Sequence, residues 1–467
     1  MITVIGLGVK AGDLSVQALK ALKNADCVLV RNASPASTVL TEEGIPFQTL
    51  DYVYEKSRNF DTLAKNLAAE VTKAASGGNV CYCVEGGVTE DRAARILMSK
   101  GADFIEGVSK AGYAAAQAGL FGTFQAVSAF EVSEKRLSLP LIVYDLADRS
   151  LASDVKLFLS EKFGDEAECY FLSREQGQKI KLYEADRQSE YTSLSALVVY
   201  EIPLLKKKRF EFEDVVEILQ CLRAPDGCPW DRVQTHESIR IAAIEEAYEL
   251  VDAIDLKDSD KMREESGDVL MQSLFHTLIE EEKGNFTVTD MITELCEKLI
   301  TRHTHVFGED KAANAEGALS VWDKNKMKEK HQETFSDAVN DVPQCFPALL
   351  RAQKIAKRVE KGGWDAATIE NCEKKFREEY GELMEAYRAN DKKAIAEELG
   401  DVLFCAAELS RAVGVDGEVA LLDTVKKVQR RYTAYETLVR ADGKDPLHLT
   451  QAEKDSYYER AKNVARD

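Results

Sequence analysis

The sequence predicts a multidomain protein, an N-terminal α/β domain followed by two all-α helical units. Three observations carry this. Residues 1–205 alternate short β-branched runs with helical patterns, the texture of strands and helices building a largely parallel sheet. Beyond residue 206 strand signals nearly vanish, and amphipathic helical periodicity continues to the C-terminus. Within that helical half the sequence repeats itself, as a duplicated unit does.

In chain order, "ITVIG", "CVLVR", "NVCYCVEG", "LPLIVYD", "ECYFLS" and "SALVVYEIP" read as strands. "SVQALKALKNA", "DTLAKNLAAEVTKAAS" and "DVKLFLSEKFG" read as helices. The texture changes after "IPLLKKKRFEFEDV". From there "EEAYE" (245–249) is answered by "EEYGE" (378–382), and "EESGDVL" (264–270) by "EELGDVL" (397–403). The interval matches to the residue, since Glu246 to Glu265 and Glu379 to Glu398 are each 19 positions. "PWD" (229–231) and "GWD" (363–365) precede the two pairs, and "EKLITRH" (297–303) is echoed by "KKVQRRY" (426–432). Domains are therefore expected at 1–205, 206–330 and 344–467, with a polar linker, "HQETFSDAVNDVP", over 331–343.

The 467 residues suit about three domains, and 45% hydrophobic with 30% charged residues is ordinary for a globular protein in water. A net charge of -20 argues against nucleic acid or an anionic membrane as the main partner. It leaves room for small phosphorylated ligands held by a metal ion and a few local cations. No run approaches the roughly 20 apolar residues of a membrane span. Ten scattered cysteines without a paired CxxC set fit reduced thiols. "MITVIGLGVKAGDLS" lacks a basic segment followed by an apolar run. A cytoplasmic location is expected.

Each repeat reads E-x-x-E, fifteen residues, then E-x-x-D. On a helix, residues three apart share a face. Glu246 with Glu249, and Glu379 with Glu382, thus aim paired carboxylates at one spot. Glu265 with Asp268, and Glu398 with Asp401, do the same from a second helix, and the intervening residues give room for a turn. Taken alone, an E-x-x-E on an amphipathic helix is a solvated face. Two pairs at equal spacing, duplicated in one chain, reverse that weighting. At 100° per residue, Leu250 and Leu383 fall about 40° from the first glutamate of each pair, and Ala253 and Ala386 about 20° on the other side. The acids flank the apolar arc instead of opposing it.

Four like charges held together repel unless a cation sits among them. All-oxygen ligation suits Mg²⁺, with Mn²⁺ as a stand-in. Because Mg²⁺ shares its shell with substrate phosphates, a nucleotide polyphosphate is the natural ligand. Glu245 and Glu378 read as solvated or, alternatively, as acids that support the ligands from behind, and His303 and His305 of "RHTHVF" as packing or substrate-edge residues. Cys228 in "GCPWD" reads as a loop packing residue. At the N-terminus "TVIGLGVKAGDLS" is a strand running into a glycine loop, which brings backbone close to a ligand. Its spacing matches neither the P-loop nor the dinucleotide fingerprint.

With "GCPWDRVQTHESI" before the first acidic set and "KLITRHTHVFGED" after it, the repeats resemble MazG-type nucleoside triphosphate pyrophosphohydrolases. The first 205 residues resemble tetrapyrrole (corrin/porphyrin) methylases, whose G-x-G-x-G-D opening is met by Gly6, Gly8, Gly12 and Asp13 with two extra residues in the loop. "VEGGVTED" (84–91) lacks the family's proline, and "EGVS" (106–109) stands where P-G-x-S is usual. The resemblance implies a bacterial fusion of a methylase-like domain with two all-α units that pair as a homodimer or within one chain. It implies hydrolysis of nucleoside triphosphates to monophosphates and pyrophosphate. Mg²⁺ would be held by Glu246, Glu249, Glu265 and Asp268, and by Glu379, Glu382, Glu398 and Asp401. Glu249 and Glu382 are the expected catalytic residues. Lys261, Lys298, Arg302 and Trp322 would bind substrate in the first unit, and Lys427, Arg431 and Tyr458 in the second. Ala394 stands at the position of Lys261, which weighs against full activity of the second unit. S-adenosylmethionine on Gly6, Gly8, Gly12 and Asp13 is implied only as far as the altered methylase landmarks allow. Two competing readings are a methyltransferase with an accessory helical tail and a non-catalytic nucleotide sensor. The sensor would be signalled by lost acids, yet all eight are present.

Overall fold

The computed structural model describes residues 1–57, 60–174, 176–329, 334–364 and 367–464. The start of the expected linker and Asp365 of "GWD" lie outside the described residues. The chain divides into two compact units, Met1–His276 and Thr277–Asp467.

In the first unit, strands β1 (Ile2–Gly6), β2 (Cys27–Val30), β3 (Gln48–Thr49), β4 (Val80–Val84) and β5 (Asp103–Ile105) form one sheet in the order β3-β2-β4-β1-β5. Every pairing in it is parallel. Parallel neighbours require crossover connections, and these place helices on both faces. That burial on two sides is why "VCYCV" of β4 is an unbroken apolar run. Val80, Tyr82 and Val84 pack with Leu63, Leu67, Ala94 and Leu97. Cys81 and Cys83 pack with Ala18, Leu22 and Leu40 on the other face. Burying a leucine such as Leu67 or Leu97 contributes about 1.5–3 kcal/mol.

A second sheet follows. Strands β6 (Gln125–Ser128), β7 (Leu141–Tyr144), β8 (Glu168–Ser173), β9 (Gln176–Lys181) and β10 (Ala196–Val199) take the order β6-β7-β10-β8-β9. Only β6 and β7 are parallel; the remaining pairs are antiparallel. One largely parallel sheet was the expectation from sequence, and two sheets of different character are found. The short connection from Ser173 to Gln176 permits only antiparallel pairing. Its strand "QGQKIK" is a mostly exposed edge with no apolar alternation to reveal it. Leu141, Val143, Leu197 and Phe171 pack against Ala152, Val155 and Leu159. Ile142, Tyr144 and Val198 pack against Ala111, Ala114 and Ala115.

From Phe212 onward the described residues form helices and turns with no β-strand. The principal helices are α1 (His236–Leu256), α2 (Ser259–Glu282), α3 (Val288–Arg302), α4 (Ala315–Glu329), α5 (Ile369–Arg388), α6 (Lys392–Ala412), α7 (Gly417–Ala441) and α8 (Gln451–Val464). The division between compact units falls inside α2. Side-chain oxygens start several of these helices: Thr235 accepts from Ser238 N, Thr287 from Asp290 N, and Thr368 from Asn371 N. Each such cap is worth about 1 kcal/mol. In the second unit, Tyr435, Val439, Tyr457 and Ala461 form a core between α7 and α8. The buried Gln353 amide donates to Ser410 Oγ (2.7 Å) and Val415 O (3.0 Å) and accepts from Gly417 N (3.1 Å), tying three segments together. No helix among the described residues is long and apolar enough to cross a membrane.

Candidate functional site

The acids are brought together by one turn used twice. After α1, Lys257 adopts the left-handed region at φ 55°. Asp258 then accepts the Asp260 and Lys261 amides (both 3.1 Å), starting α2. After α5, Asn390 sits at φ 56° and Asp391 accepts the Lys393 (3.0 Å) and Ala394 (3.2 Å) amides, starting α6. This reversal lays each second helix back along the first.

Carboxylate oxygens of Glu246, Glu249 and Glu265 consequently all lie within 4.8 Å of one another, and those of Glu379, Glu382 and Glu398 do the same. Glu249 and Glu382 are exposed, and the others are half-buried. Asp268 and Asp401 lie outside these triples but act on them electrostatically. Partial loss of hydration, with the charges of Asp268 and Glu249, raises the Glu246 carboxyl above its ordinary range. Loss of hydration also raises Glu265, with Glu249, Glu264 and Asp268 adding to it. Glu398 is raised likewise, with Glu382, Asp401 and Glu379 as the repelling neighbours. Crowded carboxylates that resist ionisation are stabilised by a cation. An oxygen-only donor set fits a hard divalent ion.

The structure adds two residues that the sequence reading missed. Gln272 hydrogen-bonds Glu246. At the equivalent place in the second repeat Cys405 is buried beside Glu379, and burial followed by the Glu379 charge pushes its thiol up to about 11. Gln272 follows Glu265 by seven residues, two helical turns, so a helical projection places it on the acidic face.

The expected substrate residues are distributed as follows. Lys261 lies in the first turn of α2, one turn before Glu265. Lys298 pairs with Glu294 at 3.1 Å on α3. Arg302 is brought to Trp322, its guanidinium carbon 5.3 Å from the ring centroid, and Lys326 Nζ lies 4.8 Å from the same ring. Arg302 is also held by Glu329 through two hydrogen bonds of 2.8 Å. Lys427 and Arg431 lie one turn apart on α7, and Arg431 Nε is buried without a hydrogen-bond partner among the described residues. Tyr458 on α8 carries Lys462 over its ring at 5.1 Å. His303 Nδ1 lies 2.7 Å from the Leu299 carbonyl oxygen, a packing role.

In the N-terminal domain, a Cβ on Gly6 would lie 2.5 Å from Gly107 N and 2.8 Å from Gly86 O, so close backbone approach requires glycine there. Gly8 takes φ 79°. Asp13 turns its carboxylate back to accept the Val9 (3.0 Å) and Lys10 (3.1 Å) amides. Nearby, Glu90 accepts from the Gly87, Lys110 and Ala111 amides at 2.8–3.0 Å. Gly12 has open space around it.

The family model for the MazG nucleotide pyrophosphohydrolase domain matches residues 234–307 and 367–434. That for tetrapyrrole (corrin/porphyrin) methylases matches residues 1–172. The chain is 32% identical to the uncharacterized protein YabN of Bacillus subtilis (strain 168), over 100% of this chain and 99% of that one. It is 40% identical to the nucleoside triphosphate pyrophosphohydrolase/pyrophosphatase MazG of Thermotoga maritima, over 55% of this chain and 98% of that one. With the nucleoside triphosphate pyrophosphohydrolase of Escherichia coli (strain K12) it shares 39% identity, over 50% of this chain and 90% of that one. The chain belongs to the MazG nucleotide pyrophosphohydrolase family, in the form that carries an N-terminal tetrapyrrole methylase domain.

Proposed function

We propose that this chain hydrolyses nucleoside triphosphates to nucleoside monophosphates and pyrophosphate with Mg²⁺, or Mn²⁺ in its stead. The work falls to two units, 206–330 and 344–467, joined by the linker at 331–343, behind a methylase-like domain at 1–205. The carrying observation is the duplicated triple of carboxylates within 4.8 Å. The activity named for the Thermotoga maritima and Escherichia coli relatives supports the reaction.

Glu246, Glu249 and Glu265, with Asp268, would hold the ion in the first unit; Glu379, Glu382 and Glu398, with Asp401, would hold it in the second. A divalent ion there supplies charge neutralisation on phosphate oxygens and a lowered pKa for coordinated water. Glu249 and Glu382, the exposed member of each triple, would accept a proton from the attacking water. Lys298 with Arg302, and Lys427 with Arg431, offer cations one turn apart for the leaving pyrophosphate. Trp322 and Tyr458 would stack on the base once the cations over their rings, Arg302 and Lys326 for the first and Lys462 for the second, give way. Lys261 has only Ala394 as its counterpart, so the first unit carries the larger share of turnover.

Exposed Tyr380, Leu399, Leu403 and Phe404 on α5 and α6 support pairing of the units, within one chain or between two copies. The cysteine pattern supports a cytoplasmic location. Methyl transfer draws less support, because "VEGGVTED" and "EGVS" depart from the methylase landmarks and the glycine loop carries two extra residues.

The test is pyrophosphate release from a panel of nucleoside and deoxynucleoside triphosphates, with and without Mg²⁺, for the chain and its Glu249→Gln and Glu382→Gln variants. Mg²⁺-dependent pyrophosphate with monophosphate is expected, with Glu249→Gln the more damaging change. Folded protein that releases none from any nucleotide would overturn the reading.

A further inference from the structure

The chain's second candidate site lies in its N-terminal domain, where Arg31 and Glu85 follow β2 and β4 and meet Ser128 and Asp145 at the ends of β6 and β7. A cavity of about 370 Å³ opens there. Clefts beyond the carboxyl ends of strands are where α/β sheets take ligands, and this volume is of ligand-pocket size.

Its floor is built from buried charge. Lys110 Nζ lies 2.6 Å from Asp145 Oδ1 and 4.0 Å from Glu85 Oε2. Ser128 Oγ donates to Asp145 Oδ2 at 3.1 Å, and Ser193 Oγ donates to Glu85 Oε2 at 2.5 Å. Asp145 is held at φ 64°, in the left-handed region that aspartate tolerates better than most residues. One ammonium thus serves two carboxylates. Glu85 is 7% exposed, and its Oε1 is buried without a hydrogen-bond partner among the described residues. Buried carboxylate oxygens are normally satisfied, so this oxygen is open to a donor that enters the cavity. Tyr54, Phe130, Arg92 and Arg95 line the same cavity, the two guanidiniums sharing the Glu131 carboxylate at 2.9 and 2.7 Å, a partner that a phosphate would have to compete with or replace. Guanidinium forks suit a phosphate, and aromatic walls suit a flat ring.

We propose that this cavity binds a nucleoside monophosphate whose base carries an exocyclic amino group. The amino N–H donates to Glu85 Oε1, and the phosphate lies with Arg92 and Arg95. The choice of a monophosphate rests on the hydrolase reading, which makes such molecules as products. The domain then acts as a product-binding module.

Calorimetric titration of the full chain in EDTA removes metal-dependent binding by the acidic sites. AMP, IMP and S-adenosylmethionine serve as probes. AMP is expected to bind, with IMP at least about tenfold weaker because its carbonyl oxygen faces a carboxylate. Glu85→Gln is expected to reverse that order, since its amide N–H can donate to the IMP carbonyl. A reversal cannot come from misfolding. Arg95→Ala is expected to weaken both nucleotides alike. No AMP binding in EDTA would overturn the proposal, as would an AMP affinity unchanged by Glu85→Gln. Binding of S-adenosylmethionine alone would overturn it in favour of a methyl donor. None of these outcomes touches Mg²⁺-dependent pyrophosphate release, so the two readings fail separately.

Discussion

Lys257 and Asn390 hold the same left-handed backbone, φ 55° and 56°, at equivalent places 133 residues apart. Each is followed by an aspartate that caps the next helix. A left-handed conformation costs a residue with a side chain roughly 1–2 kcal/mol, and asparagine tolerates it better than lysine. Lys257→Gly is therefore expected to stabilise the chain by about 1 kcal/mol, and Asn390→Gly by less. Urea denaturation of both variants decides this. A loss of stability in Lys257→Gly would mean that the lysine side chain makes a contact worth more than the strain.

Gln272 and Cys405 make the two carboxylate clusters chemically unequal. The amide supports Glu246 by a hydrogen bond, whereas the thiol offers Glu379 much less. Partners that orient metal ligands typically matter by about 10–100-fold in affinity. Gln272→Leu in a Glu382→Gln background should weaken Mn²⁺ binding by about tenfold on that scale. Cys405→Gln in a Glu249→Gln background should strengthen it. Titration of Mn²⁺ by electron paramagnetic resonance reads both without requiring turnover, and unchanged affinities would reduce Gln272 to a packing role.

Arg302 is clamped by Glu329 while it covers Trp322. On the proposed function, this guanidinium must exchange its carboxylate partner for phosphate. Glu329→Gln is expected to lower the KM for nucleoside triphosphate by about 3–10-fold, with kcat little changed, as removal of a competing ground-state contact does. Arg302→Ala should raise KM. If Glu329→Gln also raised KM, the pair would be a positioning device and not a competitor.

Much of the site was legible because its acids obey the helix period. Glu246 and Glu249 share a face by spacing alone, and the duplicated 19-residue interval separates them from ordinary solvated glutamates. The parallel sheet was legible through β4, whose continuous apolar run is what burial on both faces demands. The second sheet was not, because its edge strand "QGQKIK" is polar and exposed and its identity depends on pairing with β8. Gln272 and Cys405 escaped notice since a lone amide or thiol has no periodic partner. Glu329 lies 27 positions from Arg302, a separation that only the fold closes. Gly6 drew attention as a cofactor glycine, yet the backbones of Gly86 and Gly107 already require it.

Acid stability at the C-terminal end rests on Glu453. Its carboxylate accepts from Lys444 Nζ (2.7 Å), Thr450 N (2.9 Å) and Thr450 Oγ1 (2.8 Å), starting α8. The lysine hydrogen bond first, then those from Thr450, lower its pKa from 4.5 to about 2. A carboxyl depressed in the folded state binds protons less readily than in the unfolded chain. Its stabilisation is therefore complete above pH 4.5 and is lost as pH falls from 4.5 through about 2. Glu453→Gln removes that dependence, so the gap in urea midpoint between wild type and variant should close over this window. The side-chain carboxyl carbon, followed by NMR, should titrate near 2 in the wild type. A midpoint near 4.5 in the folded chain would show that Lys444 and Thr450 do not hold the carboxylate in solution.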